Sequence, residues 1–176
     1  MIKYITIDID HLSIPDNCRL VIFDLDDTLH TRKLCLDTHI IDILQLLKNR
    51  GIKIALASLN RMASLFLYQY GIIHFFDHVE QGKFSDEYVD EEQKRLYKSC
   101  SKSHMYKRIV NKLKVRYQDV LVFDDNWYHC LEARWLSMKY ITIRSNYTLQ
   151  WSDLKRGVEL FNKNDNNHFK RNSCSF

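Results

Sequence analysis

A chain of 176 residues, 45% apolar and 27% charged, holds the material for one ordinary hydrophobic core, and four glycines with one proline exclude a collagen-like repeat or a low-complexity body. Apolar runs such as Leu65-Phe66-Leu67-Tyr68 are far shorter than the roughly 18 residues of a membrane-spanning helix. No secretory leader is readable, and five cysteines, never spaced C-x-x-C, indicate neither a disulfide framework nor a zinc site, so a cytoplasmic protein without a membrane partner is expected. The formal charge of +4 is uneven, because residues 94–116 hold nine basic side chains and no acidic one. A phosphate-bearing partner would suit that run, although a solvated, lysine-rich helix face is the simpler account of it.

In chain order, Ile2 to Asp10 alternates apolar and polar residues and reads as an edge strand with one solvated face. Arg19 to Leu25 is a branched, apolar run suited to a central strand buried on both faces. Thr38 to Arg50 sets Ile40, Ile43, Leu44 and Leu47 on one helical stripe, with Asp37 or Thr38 as N-cap and Gly51 past its end. Ile52 to Ala57 predicts a second buried strand. Asn60 to Tyr70 predicts a second helix, capped by Asn60 or Ser58 and stopped by Gly71. The charged stretch Ser85 to Ser99 reads as loop or exposed helix. A helix over Ser103 to Lys114 presents Met105, Tyr106, Ile109, Val110 and Leu113; Val120 to Phe123 is a strand, Trp127 to Leu136 a helix and Tyr140 to Ile143 a strand. Residues 1–161 should thus form one α/β domain, a Rossmann-like parallel sheet with helices on both faces in three layers, and 162–176 a disordered tail.

Three of these strands end in chemistry. Asp24-Leu25-Asp26-Asp27-Thr28, Ser58-Leu59-Asn60 and Asp124-Asp125-Asn126 follow them, at the edge where open parallel sheets bind ligands. Five carboxylates drawn to one crevice would repel one another and hold their protons, so a hard cation such as Mg²⁺ is the natural counter-charge. Lys102, at the start of its helix and one turn ahead of Met105 and Tyr106, brings a second positive charge. Taken singly these groups have ordinary uses: aspartates shape turns, Ser58 caps a helix, Lys102 sits on a surface. Their order along the chain is what points to phosphoryl chemistry. His39, His74, His78, His104 and His129 lack metal-ligand spacing and read as ordinary surface or core histidines, and Trp127 and Tyr128 read as core residues in preference to substrate contacts.

Asp24-Leu25-Asp26-Asp27-Thr28-Leu29 resembles the first motif, D-x-D-x-T-L, of the haloacid dehalogenase superfamily of phosphatases. Ser58, Lys102 and Asp124-Asp125 match motifs two, three and four in order, over about Arg19 to Arg144. Lys102 to Ile109 with Val122 to Asp125 is most similar to the small, capless, magnesium-dependent members. His129, where an Asn-like residue is the family's habit, and Ser85 to Ser99 depart from the pattern. The resemblance implies Asp24 as nucleophile, forming an aspartyl phosphate, and Asp26 as proton donor and then acceptor. It implies Thr28, Ser58, Asn60 and Lys102 around the phosphate. Mg²⁺ would be held by the Asp24 carboxylate, the Asp26 main-chain carbonyl and Asp124, with Asp125 nearby.

Cap domains in this superfamily are inserted after motif one or between motifs two and three, and neither interval has room for one here. An open crevice is therefore expected, suited to a phosphate displayed on a macromolecule. A phosphomonoesterase for protein phosphate, phosphotyrosine included, is the leading reading. A polynucleotide end phosphatase, favoured by the basic run, is the second. A phosphate-binding module without catalysis is the third, and the intact pair Asp24 and Asp26 argues against it.

Overall fold

The computed structural model describes residues 12–31, 36–83, 100–144 and 147–164. The expected edge strand Ile2 to Asp10, the stretch Ser85 to Ser99 and most of the expected tail lie outside the described residues. Five strands form one parallel sheet: β1 (Leu20–Phe23), β2 (Lys53–Ser58), β3 (His78–Gln81), β4 (Val120–Asp124) and β5 (Lys139–Thr142), in the spatial order β3-β2-β1-β4-β5. The helices are α1 (Thr38–Asn49), α2 (Ala63–Gln69), α3 (Ser103–Leu113), α4 (Trp127–Trp135) and α5 (Trp151–Asn164). Three-layer α/β architecture is what the strand–helix alternation predicts, and it is what the chain forms.

Period-two alternation divides the core into two parts. Val21 and Phe23 of β1, with Leu121 and Phe123 of β4, face the stripe Ile40, Ile43, Leu44 and Leu47 of α1, Ala63 and Leu67 of α2, and Leu154, Val158 and Phe161 of α5. Leu20 and Ile22, with Val120 and Val122, face Met105, Tyr106, Ile109 and Val110 of α3 and Ala133 of α4. Buried on both faces, β1 has no polar residue between Leu20 and Phe23.

One boundary differs from the sequence reading, and two elements were not read from it. Helix α2 starts at Ala63 instead of Asn60, because the Asn60 N–H donates to Ser58 Oγ (3.1 Å) and the Met62 N–H to Asn60 Oδ1 (2.9 Å), side-chain turns that replace the first helical turn. Strand β3, His-Val-Glu-Gln, carries one apolar residue and has no sequence signature; it forms by pairing with Ala55–Ser58 at the sheet edge. Helix α5 runs to Asn164, three residues into the expected tail. Trp151, Leu154, Val158 and Phe161 stand at helical spacing, a signal that the sequence reading did not use.

Gly157 of α5 crosses β4 so closely that an added Cβ would lie 2.7 Å from Leu121 Cδ2 and 3.1 Å from Phe123 Cζ. Alanine gains about 1 kcal/mol in helix propensity, but overpacking a filled core costs about 1–3 kcal/mol. Gly157→Ala should therefore lower Tm by the equivalent of about 1 kcal/mol; a raised Tm would mean that Leu121 has room to retreat.

Candidate active site

Strand order reverses between β1 and β4: the chain runs outward from β1 through β2 to β3, then returns to the other side of β1 for β4 and β5. In an open sheet such a reversal opens a crevice at the carboxyl ends of the two strands. Asp24 follows β1 and Asp124 ends β4, and the Asp24 N–H donates to the Phe123 carbonyl at 2.9 Å, so the register itself sets the two carboxylates side by side.

Lys102 reaches them from the start of α3. Its Nζ is 2.7 Å from Asp24 Oδ1 and 2.7 Å from Asp124 Oδ2, and all three residues are buried. Tyr106, one turn on, directs its hydroxyl to the same Asp124 oxygen at 3.4 Å. Asp124 Oδ1 accepts the Asn126 N–H (2.9 Å) and faces His129 Nδ1 (3.2 Å).

Two carboxylates sharing one ammonium titrate unequally. Burial pushes the Asp24 carboxyl up to about 7, with the neighbouring Asp124 adding to the push and Lys102 opposing it. Burial acts on Asp124 too, but Lys102 and His129 hold it below the usual carboxylate range. Lys102 is also buried, and the two carboxylates outweigh that and raise its pKa. Asp125 is raised by burial and by Asp124.

Ligand oxygens of Asp24, Asp124 and Asp125 all lie within 4.8 Å of one another. When all three are ionised, as metal binding requires, they leave two negative charges beyond the one ammonium, two of the three carboxylates being buried. An all-oxygen donor set with that deficit fits Mg²⁺, which prefers carboxylates and retained waters, and does not resemble a nitrogen or sulfur site.

The other residues singled out from the sequence take distinct places. The Asp26 carboxylate stands apart from the group of three, half-exposed, 3.2 Å from His30 Nε2 and bonded by Asn60 Nδ2 at 3.1 and 3.2 Å. The nearby His30 imidazole, assisted by Asn60 against partial burial, holds Asp26 below the usual carboxylate range. The Asn60 amide is thus given to Asp26. Ser58 is buried, its Oγ accepting the Asn60 N–H, which leaves the hydroxyl proton available to a phosphate oxygen. Thr28 is fully buried; its carbonyl accepts the Leu149 N–H (2.8 Å), and its hydroxyl has no hydrogen-bond partner among the described residues. Asp27, in the left-handed region at φ 55°, turns the chain away from β1 directly after Asp26.

Helix α4 overturns one expectation. Trp127 is 65% exposed and Tyr128 40%, whereas His129 and Glu132 are buried, so the aromatics are outside and the polar groups inside. The reason is what the inner face meets: the Asp124 carboxylate and the turn that carries Lys102. Glu132 Oε2 accepts the Lys102 backbone N–H at 2.8 Å, Oε1 accepts the Ser101 hydroxyl, and His129 Nε2 bonds the Cys100 carbonyl at 3.0 Å. Sequence reasoning missed Glu132, which shares a helix face with the buried His129 three residues before it; a buried carboxylate of this kind marks a special site.

The sheet and its carboxyl-edge cluster define a haloacid dehalogenase fold, and solved structures agree. A putative phosphatase from Clostridium difficile superposes with TM-score 0.60 at 12% identity, covering 81% of this chain and 92% of its own. A β-phosphoglucomutase from the same organism gives 0.58 at 13%, covering 82% and 99%. The core domain of a putative phosphoglycolate phosphatase from Streptococcus pneumoniae gives 0.54 at 16%, covering 80% and 95%. No match to a curated protein was found. The family model described as acid phosphatase matches residues 30–164, and the chain belongs to that family of haloacid dehalogenase phosphatases. Among the described residues no helix is long and apolar enough to cross a membrane.

Proposed function

We propose that the protein is a Mg²⁺-dependent phosphomonoesterase working through an aspartyl phosphate on Asp24, with a crevice open enough for phosphate carried on a protein, phosphotyrosine included, as in the capless magnesium-dependent members of the superfamily. The observation that carries the reading is the Lys102 ammonium, 2.7 Å from both Asp24 and Asp124. Asp24, Asp124 and Asp125, with the Asp26 main-chain carbonyl, would hold the metal, and a bound Mg²⁺ would supply the charge neutralisation that lets an anionic nucleophile approach an anionic phosphate.

Asp24 attacks phosphorus and the ester oxygen leaves; Asp26, aimed by Asn60 and His30 and ionised in the resting protein, takes up a proton from solvent as substrate binds and gives it to that oxygen. Asp26 then takes a proton from the water that hydrolyses the aspartyl phosphate. Lys102 and the Ser58 hydroxyl bind phosphate oxygens, and Thr28 steadies the turn beneath them. Between Thr28 and Ser58 the described residues form α1 and β2, and between Ser58 and Lys102 they form α2, a 3₁₀ turn and β3, which supports an uncapped crevice. Lys107, Lys112 and Lys114 are exposed on α3 while Met105, Ile109 and Val110 are buried, which supports a solvated face over a nucleic-acid groove.

Hydrolysis of a phosphotyrosine peptide and of a 3′-phosphorylated oligonucleotide, with and without chelator, tests this. Activity should vanish with chelator, return with Mg²⁺ and return poorly with Ca²⁺, whose coordination is larger and looser. Full activity of metal-stripped protein would sink the metal assignment. An oligonucleotide rate that exceeds the peptide rate and falls by decades between 50 and 200 mM salt would promote the polynucleotide reading, since each neutralised phosphate releases counterions, at a slope of about −0.9 per contact on a log–log scale for duplex DNA.

A further inference from the structure

We propose that Glu132 positions Lys102: by accepting the Lys102 backbone N–H and the Ser101 hydroxyl, its carboxylate fixes the turn from which the ammonium reaches Asp24 and Asp124. The proposal rests on the reading of Lys102 as the cation that serves both nucleophile and phosphate.

A buried carboxylate is costly unless its oxygens are satisfied, and Glu132, 3% exposed, has no cationic partner among the described residues. Its two oxygens instead take their donors from adjacent residues of one turn, at the start of a helix whose N-cap residue, Lys102, makes no side-chain cap; the Ser101 hydroxyl, itself bonded to Glu132, accepts the Ser103 N–H at 3.3 Å. The N-terminal end of α3 gains the negative charge that suits it. That turn is also bent: Cys100 lies in the left-handed region at φ 55°, which a non-glycine residue holds only where its surroundings insist. His129 secures the Cys100 carbonyl at 3.0 Å. Three successive residues, 100 to 102, are thus held by two side chains three apart on α4.

Such fixing matters because a lysine side chain has four rotatable bonds and a compact charge, so two contacts of 2.7 Å made at once depend on where its backbone stands. Asp124 lies three residues before Trp127, the first of α4, and its Oδ1 faces His129, so one helix sets both the lysine and one of the carboxylates it must meet.

Glutamine separates bonding geometry from charge. Its Oε1 can accept the Lys102 N–H while its Nε2 donates to Ser101 Oγ, which can accept, so Glu132→Gln should keep the turn; Glu132→Ala cannot. Displacement of a catalytic group by about 1 Å can cost on the order of 100-fold in rate. With an aryl phosphate and Mg²⁺, Glu132→Ala should lose about 100-fold in kcat with a smaller change in KM, and Glu132→Gln should recover most of it. In parallel, amide hydrogen exchange should show the Lys102 N–H protected in wild type and Glu132→Gln and unprotected in Glu132→Ala. If Glu132→Ala fails to fold, Ser101→Ala, which removes one of the two bonds to Glu132 together with the Ser101 contacts to Ser103, should lower kcat several-fold with the Lys102 amide still protected. Wild-type kcat in a folded Glu132→Ala, or a Glu132→Gln as impaired as Glu132→Ala while its amide stays protected, overturns the proposal. Absence of wild-type hydrolysis with the exchange pattern as expected would instead reject the phosphatase mechanism and leave the turn's anchor standing.

Discussion

Asp24→Asn should lose turnover by about 10⁵-fold or more and remain folded, because the amide keeps the shape of the side chain and removes its capacity to attack phosphorus. A further consequence separates this substitution from ordinary damage. Burial lifts the Asp24 carboxyl from 3.8 to about 7 in the metal-free protein, so the folded state binds that proton more tightly than the unfolded chain does. Stability then falls as pH rises through the interval between those values. Asparagine has no such proton, so in chelator the variant should show a flatter stability profile over that interval and, at pH 8, a Tm no lower than wild type. Thermal unfolding across pH together with single-turnover kinetics measures both. Wild-type turnover by the purified variant would remove Asp24 from the nucleophile's role.

Lys102→Met should be damaging in a different manner. Methionine approximates the lysine stem but leaves Asp24 and Asp124 facing one another with no ammonium between them. Breaking a buried ion pair from one side costs about 3–5 kcal/mol, so the metal-free variant should melt well below wild type. Excess Mg²⁺ should recover part of that loss, since a cation that binds only the folded state stabilises it by mass action. Turnover should stay down by about 10³-fold even then, because the charge aimed at the phosphate is missing. Equal melting temperatures of wild type and variant without metal would show that the ammonium does not hold the two strand ends together.

The elements most legible in the sequence are those whose burial writes a pattern. Leu20–Phe23 and Val120–Phe123 are unbroken apolar runs, and α1 and α3 carry clean stripes, so their positions and the parallel sheet follow. Strand β3 left no pattern because an edge strand, half-covered, can be polar. The start of α2 was misplaced because Ser58 and Asn60 bond the backbone locally, and that competition with the helix is invisible in periodicity. At the site, Asp24, Lys102 and Asp124 were legible through motif order, and the register brings them together. Asn60 was found but assigned to phosphate, whereas its amide lies on Asp26. His129 and Glu132 were not legible as site residues, since periodicity alone predicts an inward apolar face for α4; only the charged neighbours it packs against explain the inversion.

The central place of β1 has a consequence for how the protein is made. Strands β1, β2 and β3 lie within the first 81 residues, whereas the other neighbour of β1 begins only at Val120. During synthesis from the N-terminus the three early strands can pair while the far edge of β1 is still bare, an all-apolar Leu20–Phe23 with its backbone groups unpaired, which is the kind of edge that recruits another chain. The carboxylate cluster is equally incomplete at that stage, because its second and third aspartates, Asp124 and Asp125, have yet to be synthesised. Assembly of the carboxylate cluster therefore coincides with the covering of the vulnerable edge, and a chain arrested before Val120 would keep that edge bare and lack two of the three carboxylates.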